Sequence, residues 1–161
     1  MKIDRETLLI VGVGNIYRSD DGIGISVLYR LRERLPSAIR TRELTGEGTA
    51  LLEVWKEANW VIVVDAVQSG APPGTIHRLD AHSEEIPKRL FPYSTHAFSV
   101  AEAVELARAL DLLPRRLLLY GIEGRTFAAG IGLSREVVRA GATVAAEVLN
   151  ASNCFLHSID A

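Results

Sequence analysis

Three stretches of the chain are apolar almost throughout: residues 8–13 (LLIVGV), 60–64 (WVIVV) and 117–122 (LLLYGI). A strand without a polar face belongs in a sheet covered on both sides, so these runs predict buried strands. Residues 39–44 form a weaker strand candidate. Between them lie helical patterns, carried by Val27, Leu28, Leu31 and Leu35, then by Leu51, Leu52, Trp55 and Ala58. Val100, Val104 and Ala107 make a third, and Val137, Val138, Val144, Ala145 and Val148 a fourth. Each series gives a helix one apolar face. Ser99-Val100-Ala101-Glu102 has the spacing of a capping box and sets the start of the third helix.

Strand, helix, strand, helix, strand predicts a parallel sheet with right-handed crossovers. The pattern then changes. Only nine residues, 66–74, separate the WVIVV strand from the next candidate at 75–79, and they contain Pro72-Pro73-Gly74. A parallel crossover needs about a dozen residues or more, so the strand at 75–79 is expected to run antiparallel. The expected fold class is α/β: three layers, α/β/α, around a mixed, mostly parallel five-stranded sheet with one strand antiparallel. No repeat, charge block or biased linker divides the sequence. At 161 residues, a single domain over residues 1–161 is expected.

Composition narrows the function classes. The chain is 48% hydrophobic and 24% charged, the mix of a globular protein. Eighteen basic against 20 acidic side chains give a net charge of -2, with no segment that concentrates Lys and Arg. That argues against a nucleic-acid binder driven by phosphate neutralisation. Cys154 is the only cysteine, which excludes an intrachain disulfide and every Cys-based zinc or iron–sulfur site, and suggests a reducing compartment. Lys2 and Arg5 ahead of residues 8–13 imitate a signal peptide, but the run is short and leads into GNIYRSDD. No stretch approaches the ~20 apolar residues of a membrane span. A cytoplasmic protein with no membrane or nucleic-acid partner is expected, and a monomer.

In open α/β sheets, ligands bind outside the carboxyl ends of the strands. The first strand ends in Gly12-Val13-Gly14-Asn15 and a loop carrying Asp20-Asp21-Gly22; the WVIVV strand ends in Asp65. A dinucleotide fingerprint fails at its third glycine, where Arg18 and its neighbours intervene, and the loop offers acids to a pyrophosphate. No phosphate-binding GxxxxGK[ST] loop, HExxH or GxSxG elbow is present. His77 in the antiparallel strand, His82 in a polar loop and His157 in the tail read as surface residues. His96 differs, because Ser94-Thr95-His96 precedes the capped helix in a loop able to return to the same sheet edge.

Simpler roles stand beside each of these residues. Asp20 or Asp21 could cap the first helix, Asp65 could make an Asx turn, and His96 could be an exposed loop residue. Grouping Asp21, Asp65 and His96 has a chemical argument: two carboxylates and an imidazole at one crevice perturb one another unless a cation arrives. Oxygen and nitrogen donors suit a divalent transition metal, and three protein ligands leave positions open for substrate.

At these residues the chain resembles the hydrogenase maturation endopeptidases, which process the large subunit of nickel-iron hydrogenases. The segments GVGN-IYRSDDGIG, VVDAVQSGAPPGT, STHAFSVAEAVELARAL and LYGIEGRTFAAGIGLSREV carry the likeness in order, from about residue 8 to about residue 149. The resemblance implies that Asp21, Asp65 and His96 are nickel ligands and that the fold is three-layered with a mixed five-stranded sheet. It implies a protein partner, the hydrogenase large-subunit precursor. It implies a reaction too, removal of a C-terminal extension after nickel insertion, with the nickel arriving on the substrate.

One departure bears on the site. Where the family usually has an Asp-Gly-Gly-Thr turn, this chain reads Leu44-Thr45-Gly46-Glu47-Gly48-Thr49, so the acid is displaced to Glu47 or lost. An exposed loop glutamate is the simpler reading of Glu47. Glu123, in GIEG, stands as another acid at the rim. No Ser/His/Asp or Cys/His nucleophile set is visible, and Cys154 falls in the C-terminal tail. Phe91 and Tyr93, beside the histidine loop, read either as core aromatics or as part of a docking surface. Two other functions use the same crevice: a non-catalytic metallochaperone or precursor-binding module, and a stand-alone metal-dependent peptidase.

Overall fold

The apolar runs become the centre of a five-stranded sheet in a computed structural model that describes residues 6–46, 48–90 and 99–160. The elements are β1 (Leu8–Val13), α1 (Ile23–Arg32), β2 (Arg40–Leu44), α2 (Gly48–Val54), β3 (Trp60–Val67), β4 (Ile76–Asp80), α3 (Val100–Ala109), β5 (Arg116–Glu123) and α4 (Arg135–Ile159). Strand order is β2-β1-β3-β5-β4. The pairs β1–β2, β1–β3 and β3–β5 are parallel. β4 runs antiparallel to β5, with Ile76 opposite Ile122 and Asp80 opposite Leu118. The short connection between β3 and β4 is the physical reason, since it cannot carry the chain back across the sheet.

Alternation along the strands divides the core in two. Leu8, Ile10, Ile62 and Val64 pack with residues of α1 and α4. Leu9, Val11, Val61 and Val63 pack on the other face with residues of α2 and α3. The architecture is therefore the expected α/β/α sandwich of a mixed sheet. β2 lies at an edge and is half-exposed along its length, which explains its weak apolar signal. The second helical pattern splits: α2 stops at Val54, and a 3-10 turn, Trp55–Glu57, delivers the buried Trp55. The capping box is present, with Ser99 Oγ accepting the Glu102 N–H and the Glu102 carboxylate accepting the Ser99 N–H.

Two glycines fix the approach of α1 to the sheet. A Cβ on Gly24 would lie 2.3 Å from the carbonyl oxygens of Val13 and Val64, so only glycine lets the helix start against the ends of β1 and β3. Gly14 has φ +147°, and its Cβ position is 2.0 Å from the Asp21 carbonyl oxygen. The segment between them is thereby drawn over the carboxyl ends of the central strands. α4 continues through Ile159, so Cys154 and His157 lie on an exposed side of a helix rather than in a tail. Among the described residues no helix is long and apolar enough to cross a membrane.

Candidate functional site

β1 ends at Val13 and the chain turns through residues 14–18 into a 3-10 turn, Ser19–Gly22, that carries Asp21. The Asp21 carboxylate accepts the Asn15 N–H at 3.0 Å, and Asn15 Oδ1 accepts the Tyr17 N–H at 2.9 Å. Asp21 N–H donates to the Arg18 carbonyl at 3.2 Å. The loop thus closes on itself and presents the Asp21 side chain at the sheet edge.

Asp65 stands opposite Gly121 of β5, two residues before β3 ends at Val67. By strand alternation its side chain leaves the sheet on the same face as Val61 and Val63, the face of α2 and α3. Asp65 keeps partial exposure, yet protein crowds its carboxyl. Burial pushes that carboxyl well above the usual aspartate range; the charge of Asp21 pushes it further, and a hydrogen bond involving the Ala66 backbone offsets only part. The two carboxylates predicted to share a crevice are therefore close enough to feel each other.

His96 and Glu47 lie outside the described residues, as do Phe91 and Tyr93. Among the described residues no group of three His, Cys, Asp or Glu side chains is arranged to hold a metal ion. α3 feeds β5, which is parallel to β3, so Ser99 begins α3 at the carboxyl edge of the sheet, on the Asp65 face. The chemistry of the described donors suits a cation: two carboxylates at a strand edge, one of them held against ionisation.

Two of the simpler roles do not hold. The N-cap of α1 is Gly22, with no side-chain cap, so neither Asp20 nor Asp21 caps that helix. Asp65 lies within β3, which runs on to Val67, so it does not start a turn. Asp20 is instead buried at 0% exposure and accepts hydrogen bonds from residues more than a hundred positions away. Burial alone would raise its pKa, but bonds from Ser134, Arg125 and Thr126 outweigh that and hold the carboxyl below its ordinary value.

Glu123 is not a rim acid. At 1% exposure it accepts the Ser69 N–H at 2.6 Å, the Gly70 N–H at 3.0 Å and the Ser69 hydroxyl at 2.8 Å, anchoring the β3–β4 turn. Its other contact is His77 Nε2 at 3.2 Å, so His77 is a partly buried partner rather than a bland surface residue. His82 Nε2 lies 2.7 Å from the Pro114 carbonyl, tying an exposed loop residue to the chain ahead of β5. The sequence signal for Glu123 was its place at a strand end. Nothing in the spacing marked its burial, because its partners come from a different strand's loop.

Comparison with known proteins places the chain in a family. A family model described as hydrogenase maturation protease matches residues 45–151, a stretch that includes Asp65 and His96, with Asp21 ahead of it. The hydrogenase expression/formation protein HupD of Thiocapsa roseopersicina is 32% identical over 127 residues, covering 76% of this chain and 56% of its own. The hydrogenase 2 maturation protease of Escherichia coli is 30% identical over 135 residues, covering 81% of this chain and 80% of its own. The chain spans 56 to 65% of the length of the HupD, HoxM and HupM relatives it matches. Among solved structures, a hydrogenase 2 maturation peptidase from a Thaumarchaeota archaeon superposes with a TM-score of 0.67 at 26% identity, over 91% of this chain and 97% of that one. The matched segment, the relatives and the shared mixed sheet agree, and the chain belongs to the hydrogenase maturation protease family.

Proposed function

We propose that this protein is an endopeptidase that removes the C-terminal extension of a nickel-iron hydrogenase large-subunit precursor once nickel has been inserted. The observation that carries the reading is the pair Asp21 and Asp65 at the carboxyl edge of the sheet, with Asp65 driven toward protonation by burial and by its neighbour's charge. A divalent cation placed between them relieves both effects. Membership of the maturation protease family and the name of the Escherichia coli relative supply the substrate class.

In this reading Asp21, Asp65 and His96 are provisional ligands to nickel carried on the precursor. Nickel is part of the substrate and marks it as ready for cutting. Three protein donors leave coordination positions for the groups the precursor brings. A cation there supplies Lewis-acid chemistry for amide hydrolysis, in which water adds across the scissile bond and yields a carboxyl and an amine. The chain's own contribution is to hold the carboxylates of Asp21 and Asp65 at one edge of a rigid sheet, with His96 as the third donor in this reading. Its partner is the precursor polypeptide, with neither nucleic acid nor membrane involved, and it acts as a cytoplasmic monomer.

The test uses Asp21→Ala and His96→Ala with a cognate nickel-loaded precursor. Both variants are expected to keep the far-ultraviolet circular dichroism of the parent and to leave the precursor uncut. Cleavage at the parent rate by both would overturn the assignment.

A further inference from the structure

Beside the crevice, the loop that carries Asp21 is fastened to the long loop of residues 124–134 that leads into α4. Gly130 N–H donates to the Tyr17 carbonyl at 2.9 Å, and Ser19 N–H donates back to the Gly130 carbonyl at 2.9 Å. Ser19 Oγ donates to the Ala128 carbonyl at 2.8 Å, and Asp20 N–H to the Thr126 carbonyl at 3.1 Å. Ser19 takes φ 53°, a conformation a serine holds only where its surroundings over-determine it.

At the centre of this seam is the Asp20 carboxylate. Its Oδ2 accepts the Arg125 N–H at 2.8 Å, the Thr126 N–H at 3.1 Å and the Ser134 hydroxyl at 2.8 Å. Its Oδ1 accepts the Ser134 N–H at 2.7 Å. A buried charge is unfavourable unless hydrogen bonds satisfy it, and these four, from one loop, do so. Holding the loop closed by neutral groups would avoid that penalty. What the charged arrangement adds is stiffness, because a side chain bonded four times and a backbone N–H bonded once leave Asp20 a single position.

The residue so fixed is the neighbour of Asp21. The side chain of Asp20 enters the 124–134 loop, while that of Asp21 meets the Asn15 N–H at the crevice, so the seam sets where the second carboxylate can sit. We propose that Asp20 is a positioning residue: it ligates nothing itself and, by clamping residues 15–22 to residues 124–134, holds Asp21 at the distance from Asp65 that the reaction needs. This rests on the reading of Asp21 and Asp65 given above.

The test compares Asp20→Asn, Ser134→Ala and a core control, Val148→Ala, whose buried side chain lies on α4 away from the seam. Three readouts are taken: urea stability, exchange of the Asn15 amide, and kcat/KM on nickel-loaded precursor. The Asn15 N–H is the direct reporter, since its acceptor is the Asp21 carboxylate. Asp20→Asn is expected to speed Asn15 exchange about tenfold and to lower kcat/KM on the order of a hundredfold, as misplacement of a reacting group does. Ser134→Ala, which removes one bond of four, should move both in the same direction by roughly tenfold or less. Val148→Ala should lose stability with Asn15 exchange unmoved and kcat/KM within about threefold of the parent.

If the Asp20 and Ser134 variants change Asn15 exchange and kcat/KM no more than the core control does, the proposal is overturned. Should Asp20→Asn fail to fold, the Ser134→Ala comparison decides. Should the parent protein leave a cognate precursor uncut, the functional reading falls, while Asn15 exchange still decides the role of Asp20.

Discussion

Asp65, partly exposed yet crowded by protein, and Asp20, fully buried, are aspartates with opposite protonation preferences, and the difference lies in what surrounds each. Protein crowds Asp65, whose neighbour Asp21 is negative, so the folded state favours its protonated form. Asp20 accepts four hydrogen bonds, and the folded state favours its ionised form despite burial. The consequences for stability have opposite sign. A carboxyl with a raised folded pKa contributes stability that is complete below the ordinary aspartate range and is lost as pH rises through the folded value. Asp65→Asn is therefore expected to be more stable than the parent toward urea at about pH 7, with the gap closing toward pH 4. Equal or lower stability at neutral pH would contradict the burial argument. Asp20 contributes stability present above the ordinary aspartate range and lost as pH falls through its depressed folded value. The penalty of Asp20→Asn should accordingly be greatest near neutrality and shrink in acid, as read from urea midpoints at the two pH values.

At the scale of elements, the buried strands announce themselves because helices cover both their faces: β1, β3 and β5 are apolar runs in the sequence and become adjacent parallel strands. The direction of β4 follows from the shortness of the connection before it. β2 is faint because an edge strand of sequence RTREL needs no apolar face, and α2 stops early because the chain tightens into a 3-10 turn at Trp55. Two substitutions test the reasons given for these elements. Ser99→Ala removes the cap of α3 and should lower stability by about 1 kcal/mol in urea titration. Gly24→Ala places a Cβ 2.3 Å from two strand carbonyls and should lose at least about 1–3 kcal/mol as α1 is pushed off the sheet. A neutral Gly24→Ala would mean that α1 does not start against the Val13 and Val64 carbonyls.

The candidate site is legible in the sequence only in part. Asp21 and Asp65 could be picked out because they sit at strand ends, where open α/β sheets bind ligands. The work of Asp20 and Glu123 could not, since their hydrogen-bond partners are set by how distant loops meet, and spacing along the chain carries no record of that. Adjacent acids in SDDG look equivalent on paper; folded, one faces a loop and the other the crevice.

For the whole molecule, the chain carries a net charge of -2 on an α/β/α sandwich, and among the described residues no helix is long and apolar enough to cross a membrane. Its acidic pair lies at the rim of the sheet, and in the proposed function the precursor polypeptide brings the cation to it. In the proposed function, nickel on the substrate gates cleavage. The most direct measurement is the intact mass of a cognate hydrogenase large-subunit precursor after incubation with this protein, with nickel inserted and without it. Loss of a C-terminal peptide from the nickel-loaded precursor alone is the expected result. Equal loss from the nickel-free precursor, or no loss from either, would contradict it.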